Sequence, residues 1–201
     1  MNRHRTDSQE FNKEFFDRFY RRQKTRASGP DDFRKLSQFV LAYLEYIEVE
    51  VRSVLDLGCG LGRWKRALAA YDATIEYTGV DVSDYACQTY GWQRASVEDF
   101  RSTDTYDLVI CQDVLPYLPK DKLEAAVANI TRHCRGAAYL QVITLEDWDN
   151  QICDPERTDL TMNRFDASWY RTLFGRYFVN CGGGIFVPRN TDVVLWELEH
   201  C

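Results

Sequence analysis

The sequence predicts an α/β fold: a doubly wound, mostly parallel sheet with helices on both faces, an antiparallel strand pair at the C-terminal end and a helical cap at the N-terminal end. Three observations carry this. From Val51 onward, short apolar runs of strand type alternate with segments of helical periodicity. A glycine-spaced turn, Gly58-Cys59-Gly60-Leu61-Gly62, joins the first of those strands to the first helix. A carboxylate, Asp81, ends the second strand about twenty residues further on, where a doubly wound sheet opens its crevice.

Residues up to about 50 form the expected cap, and 51–201 the main domain. In the cap, Phe11, Phe15, Phe16 and Phe19 recur at helical spacing. The basic run Arg21-Arg22-Gln23-Lys24-Thr25-Arg26 then leads to a break at Gly29-Pro30, where Asp31 or Asp32 can cap the next helix. That helix carries Phe33, Leu36, Phe39, Val40, Tyr43, Leu44 and Ile47 on one face. Strands follow at 51–57, 75–81, 93–97, 107–111 and 138–144, with helices at 63–71 and 84–90 and from Pro119 or Asp121 onward. In this last helix Leu123, Ala126, Val127 and Ile130 face inward. Residues 145–165 read as a long polar connection, and Asp166 opens a helix with Trp169, Tyr170, Leu173 and Phe174. The expected antiparallel pair is 177–181 with 193–198, around Gly182-Gly183-Gly184.

Composition narrows the function. A chain of 201 residues buries about 70% of its unfolded surface, so neither metal nor disulfides are needed for a core. Its seven cysteines are scattered with no Cys-x-x-Cys pair, the pattern of reduced thiols in a cytoplasmic protein. The N-terminus is polar without an apolar signal core, and no window approaches a membrane span. A net charge of -6 argues against a wide nucleic-acid surface.

The glycine loop sharpens the reading. Dinucleotide-binding turns follow Gly-x-Gly-x-x-Gly, with a pyrophosphate on the helix N-terminus. Here the third glycine comes one position early and Arg63-Trp64 fill the place of the pyrophosphate, which suits a small zwitterionic group better. Asp81, at the end of the second strand, is within reach of ribose hydroxyls.

The ordered set resembles the class I S-adenosylmethionine-dependent methyltransferases, whose fold is Rossmann-like. Val54-Leu55-Asp56-Leu57-Gly58-Cys59-Gly60-Leu61-Gly62 is similar to that family's first motif and Gly79-Val80-Asp81-Val82-Ser83 to its second. Ala95-Ser96-Val97-Glu98-Asp99-Phe100 stands where the adenine-binding segment falls, and 106–118 resembles the fourth motif. The likeness covers roughly residues 50–145. It implies S-adenosyl-L-methionine as cofactor, with the Gly58-Cys59-Gly60 backbone near its methionine part, Asp81 at the ribose with Val82 beside it, Val97 and Glu98 bordering adenine and Cys111 near the sulfonium; Asp56 is either a further cofactor contact or a carboxylate that satisfies backbone at the strand end. Two positions depart from the family's pattern: Ser96 replaces a frequent aspartate and Tyr117 a frequent histidine.

Methyl transfer from an activated donor needs alignment first, and a base only where the acceptor must lose a proton. Tyr117 is the candidate for a hydroxyl near the methyl, against the alternative that it packs on the following helix. Tyr20 either closes over the cofactor by cation–π attraction or belongs to the core. Arg26 is a candidate for the methionine carboxylate. Glu146, Asp147, Asp149, Asp154, Glu156 and Asp159 form either an acidic cover suited to an amine-bearing acceptor or a solvated loop. Trp148, Trp169 and Tyr170 offer an apolar acceptor pocket. A metal site built on Asp113, Asp149 and Asn150 is disfavoured, because the last two lie beyond the strand end. His4, His133 and His200 sit away from the loop ends. No Asn-Pro-Pro-Tyr or Asp-Pro-Pro-Tyr segment and no Pro-Cys pair follows the fourth strand, so nucleic acid is disfavoured as acceptor. The expectation is a methyltransferase acting on an O or N atom of a small molecule. A non-catalytic cofactor-binding partner of a larger complex, or a protein or RNA methyltransferase, stands as the alternative. Oligomeric state is left open.

Overall fold

The computed structural model describes residues 11–193 and 195. Among these residues, seven strands form one sheet in the order β3-β2-β1-β4-β5-β7-β6. They are β1 (Ser53–Leu57), β2 (Glu76–Asp81), β3 (Gln93–Arg94), β4 (Tyr106–Gln112), β5 (Cys134–Gln141), β6 (Phe178–Gly182) and β7 (Ile185–Pro188). β3 through β5 are parallel, while β7 runs antiparallel to β5 and β6 antiparallel to β7. The chain winds outward from β1 to β3, then returns to place β4 on the other side of β1. The crevice opens at that reversal.

The alternation of strand residues sends each face of the sheet to its own core. On one side Leu55, Leu57, Val109 and Cys111 meet Leu123, Ala126, Val127 and Ile130 of α5 (Lys120–His133), with Tyr170, Leu173 and Phe174 of α7 (Ala167–Gly175). On the other, Val54, Leu108, Ile110 and Tyr139 meet α2 (Pro30–Tyr46) through Phe33, Val40, Leu41 and Leu44. Trp64 and Leu68 of α3 (Arg63–Tyr71) complete that layer. A third cluster joins Phe11, Phe16, Leu61 and Ala86, the last from α4 (Asp84–Tyr90).

Several boundaries differ from the sequence expectation. The first helix is one short turn, α1 (Lys13–Phe16), running into a π-helical turn over Asp17–Arg21. Arg22 N closes that turn on Asp17 O at 2.9 Å, and Ala27 N bonds Phe19 O at 2.9 Å, so the chain folds back instead of continuing. β3 is only two residues, because 96–100 closes as a turn in which Phe100 N bonds Ser96 O at 2.9 Å. β5 begins four residues early, pairing Cys134 with Tyr106, and stops at Gln141. Downstream, Thr144 caps a short helix, α6 (Leu145–Asp149), inside the expected loop, with Asp147 Oδ2 accepting from Thr144 N at 2.8 Å. The C-terminal pair is 178–182 with 185–188, not with 193–198, most of which lies outside the described residues. Gly182, Gly183 and Gly184 all hold φ between 60° and 85°, so the strand reverses at once.

Candidate functional site

A cleft of about 620 Å³ lies over the C-terminal ends of β1, β2 and β4. Its floor is the glycine loop. Gly58 N and Cys59 N donate to Val80 O at 2.8 and 3.1 Å, and Gly60 N donates to Asp81 Oδ2 at 2.7 Å. These donors are spoken for, so the loop offers no row of free N–H groups for a pyrophosphate. That agrees with the early third glycine. Gly58 (φ 80°) lies against Val114 so closely that a Cβ there would overlap its Cγ2, and Phe16 covers Gly60.

Asp81 is buried at the cleft wall, and its Oδ1 accepts from Ser83 N at 2.8 Å. Burial pushes its carboxyl above the usual carboxylate range, with the Ser83 and Gly60 amides opposing. Each carboxylate oxygen has two lone pairs, so both can still accept from a hydroxyl.

The next wall is the segment 94–99. Glu98 is nearly buried: Lys122 Nζ holds its Oε1 at 2.9 Å, while Oε2 has no partner among the described residues. Asn129 of α5 donates to Val97 O at 2.7 Å and Phe100 O at 3.0 Å, fixing this segment from beneath. Nothing in the spacing of α5 marks Asn129 except its polarity on an apolar face.

Phe11, Phe15, Phe16 and Tyr20 form the roof, with Tyr117 opposite. Phe11 lies edge-on to both Phe15 and Tyr117, with ring centroids 5.1 Å apart in each pair. The roof is tied down at two points: Ser83 Oγ donates to Phe11 O at 2.5 Å, and Arg21 reaches Tyr85 and Tyr90 hydroxyls at 3.1 and 2.8 Å. The sequence marks these phenylalanines as one helical face. Their service as a roof depends on the π-turn.

At the end of β4 stand Gln112 and Asp113. Trp64 Nε1 donates to Gln112 Oε1 at 2.9 Å, and Trp64 itself is buried between Phe33 and Tyr139. Asp113 adopts φ 56°, and its N–H donates to Gln141 O at 2.9 Å. Its Oδ1 is buried without a hydrogen-bond partner among the described residues. Burial pushes this carboxyl up to about 7, offset only in part by the Gln112 amide. The sequence singles out Asp113 only as a metal ligand. Among the described residues no group of three His, Cys, Asp or Glu side chains is arranged to hold an ion.

Of the residues expected at the site, Tyr20, Gly58, Gly60, Asp81, Val82, Val97, Glu98 and Tyr117 line this cleft. Tyr117 donates to Asp159 Oδ2 at 3.4 Å, and Asp159 is the buried member of the acidic segment. Asp56 lies below the loop, where the Tyr77 hydroxyl donates to its Oδ2 at 2.5 Å and burial raises it to about 7. The Cys59 and Cys111 side chains are buried, and burial raises both thiols. Arg26 lines a separate groove, with Ser28, Phe33, Arg63 and Arg66; Tyr20 borders both spaces. Trp169 and Tyr170 pack with Phe165 in the α7 layer, and Arg164 covers the Trp148 ring at 4.0 Å.

Together the reversal, the loop and the acidic strand end define a Rossmann-like fold. Residues 55–140, from β1 to β5, match the family model of a methyltransferase domain. Beyond that segment, the likeness of the chain to solved structures is one of fold. By fold it is similar to the PH0226 protein of Pyrococcus horikoshii OT3 (TM-score 0.62, 16% identity, covering 88% of this chain and 99% of that one). It is also similar to CalS10 of Micromonospora echinaspora, an amino pentose methyltransferase solved with S-adenosylmethionine (TM-score 0.57, 16% identity, 77% and 90% covered). A third is the plantazolicin methyltransferase BpumL, solved with S-adenosylhomocysteine and a desmethyl analog (TM-score 0.61, 14% identity, 82% and 67% covered). No curated protein matches the chain by sequence.

Proposed function

We propose that the chain methylates an O or N atom of a small molecule, with the cofactor held in the 620 Å³ cleft. The observation that carries this is the joining of loop and strand end, Gly60 N to Asp81 Oδ2 at 2.7 Å, at the floor of a roofed cleft. In this reading the Gly58–Gly60 backbone holds the methionine part, Asp81 the ribose and Val97 with Glu98 the adenine. The cofactor supplies a methyl group already activated for displacement; the chain's own residues align the acceptor and exclude water. Phe11, Phe15, Phe16 and Tyr20 do the excluding, and their faces favour a positive charge beneath them. A roof this close to the loop suits a small acceptor better than a folded macromolecule. The amino pentose and plantazolicin substrates of the two similar enzymes are consistent with that.

The test is calorimetric. S-adenosylmethionine should bind the wild-type chain in preference to NAD, and Asp81→Ala should weaken binding at least about tenfold, or 1.4 kcal/mol. Unchanged affinity would overturn the assignment. Labelled methyl from the cofactor should enter the small-molecule fraction of an extract; label found only in protein or RNA would overturn the acceptor class.

A further inference from the structure

Within the methyl-transfer reading, on which this inference rests, the cleft is lined by a carboxylate, Asp113, whose Oδ1 has no partner among the described residues. We infer that Asp113 is the acceptor-binding base and that the acceptor presents an amine, whose nitrogen Asp113 receives and whose proton it removes.

Three observations support this. Asp113 sits beside the strand reversal, in a left-handed backbone conformation (φ 56°) held by its N–H bond to Gln141 O. Conformations of this kind persist where the surroundings over-determine them, and they gather at functional sites. Its Oδ1 is buried and unpartnered among the described residues, a state that carries a desolvation cost unless a ligand supplies the donor. Its electrostatic neighbours among the described residues supply no cation. The titratable groups that sense its charge are Tyr20, Cys111, Tyr139 and Cys153, all raised and therefore neutral at pH 7.

The wider field points the same way. Asp81 and Asp159 also act on Tyr20, adding negative potential. Arg63, on the far side of Tyr20, is engaged by Ser28 Oγ at 2.8 Å and Gly29 O at 3.1 Å. Arg164, which acts on Cys153, stacks on Trp148. Among the described residues, the two cations that line the cleft itself are paired, Arg94 with Asp84 and Lys122 with Glu98, each at 2.9 Å. An alcohol would satisfy one lone pair of Asp113. A protonated amine also neutralises the charge, and the aromatic roof favours it.

The chemistry balances. An amine that arrives as an ammonium gives a proton to Asp113, which frees the nitrogen lone pair. That pair forms the new C–N bond as the methyl C–S bond breaks, and the electrons of the broken bond stay on sulfur. The proton on Asp113 returns to solvent as the methylated amine leaves. A carboxyl titrating near the operating pH is suited to this exchange.

The test uses the chain with S-adenosylhomocysteine bound, titrated by NMR with benzylamine and with benzyl alcohol. The amine should bind wild type at least about tenfold more tightly than Asp113→Asn, while the alcohol should not distinguish them. The preference for the amine should fade as pH drops through about 7. Equal amine affinity in both chains, or no amine binding to the loaded wild type, would overturn the inference. Failure of S-adenosylhomocysteine itself to bind would overturn the cofactor reading instead, and calorimetry separates the two. With a methyl-13C cofactor and a small-molecule extract, the product should carry an N-methyl group, and Asp113→Asn should lower kcat/KM about 10²-fold. An O-methyl product would sink the idea.

Discussion

At the scale of single residues, position decides more than type. Gly58 shows this: its φ of 80° disfavours any side chain, and Val114 fills the space a Cβ would take. Gly58→Ala should therefore destabilise by about 2–4 kcal/mol, lowering the thermal midpoint by roughly 5–10 °C and weakening cofactor binding. Calorimetric melting checks it, with Gly91→Ala, where a Cβ meets nothing within 4 Å, as the control for backbone strain alone. The glycine loop and Asp81 were readable from spacing because their chemistry needs particular backbone and charge at fixed separations. Asp113 was readable only as a carboxylate. That its Oδ1 lacks a partner depends on how β4 and β5 end together, which no local pattern encodes.

At the scale of elements, the roof is the informative case. Helical periodicity over Phe11 to Phe19 gave the apolar face, but not the π-turn that swings it over the loop. Asp17 drives that turn, accepting from Lys13 at 2.7 Å and Arg21 at 2.6 Å, while Arg21 also reaches α4. Arg21→Ala should loosen the roof without unfolding the sheet. The expected outcome is cofactor binding about 3- to 10-fold weaker, with the thermal midpoint changed by less than about 2 °C, since partly exposed pairs contribute little to global stability. Equal binding in the variant would mean the roof does not contribute. Two of the strand boundaries that the sequence misplaces have local causes: the Thr144 cap follows the end of β5, and the triple glycine reverses β6, where β propensity alone would continue the strand.

At the scale of the molecule, two buried carboxyls shape the response to pH. Asp56 and Asp113 both titrate near 7 when folded, against about 4 in an unfolded chain. The folded form thus binds more protons between those values. Their contribution is fully present below about pH 4 and is lost as pH rises through about 7. Asp107, held low by Arg135 and the Arg52 and Ser53 amides, runs the opposite way and weakens the fold in acid. The thermal midpoint should therefore fall between pH 6 and 8. Asp113→Asn should flatten that fall and exceed wild type at pH 8 by about 1–3 kcal/mol, read from denaturant melts. A wild-type profile that rises over this interval would contradict the assignment. No helix among the described residues is long and apolar enough to cross a membrane.

The origin of the roof also orders events in time. Phe11, Phe16 and Tyr20 come early in the chain, yet they rest on Gly60, Ser83, Tyr85 and Tyr117. Those surfaces exist only after β1, β2 and β4 have associated. The opening segment must wait for its own scaffold, and pulsed hydrogen exchange during refolding should find it the last part of the cleft to gain protection.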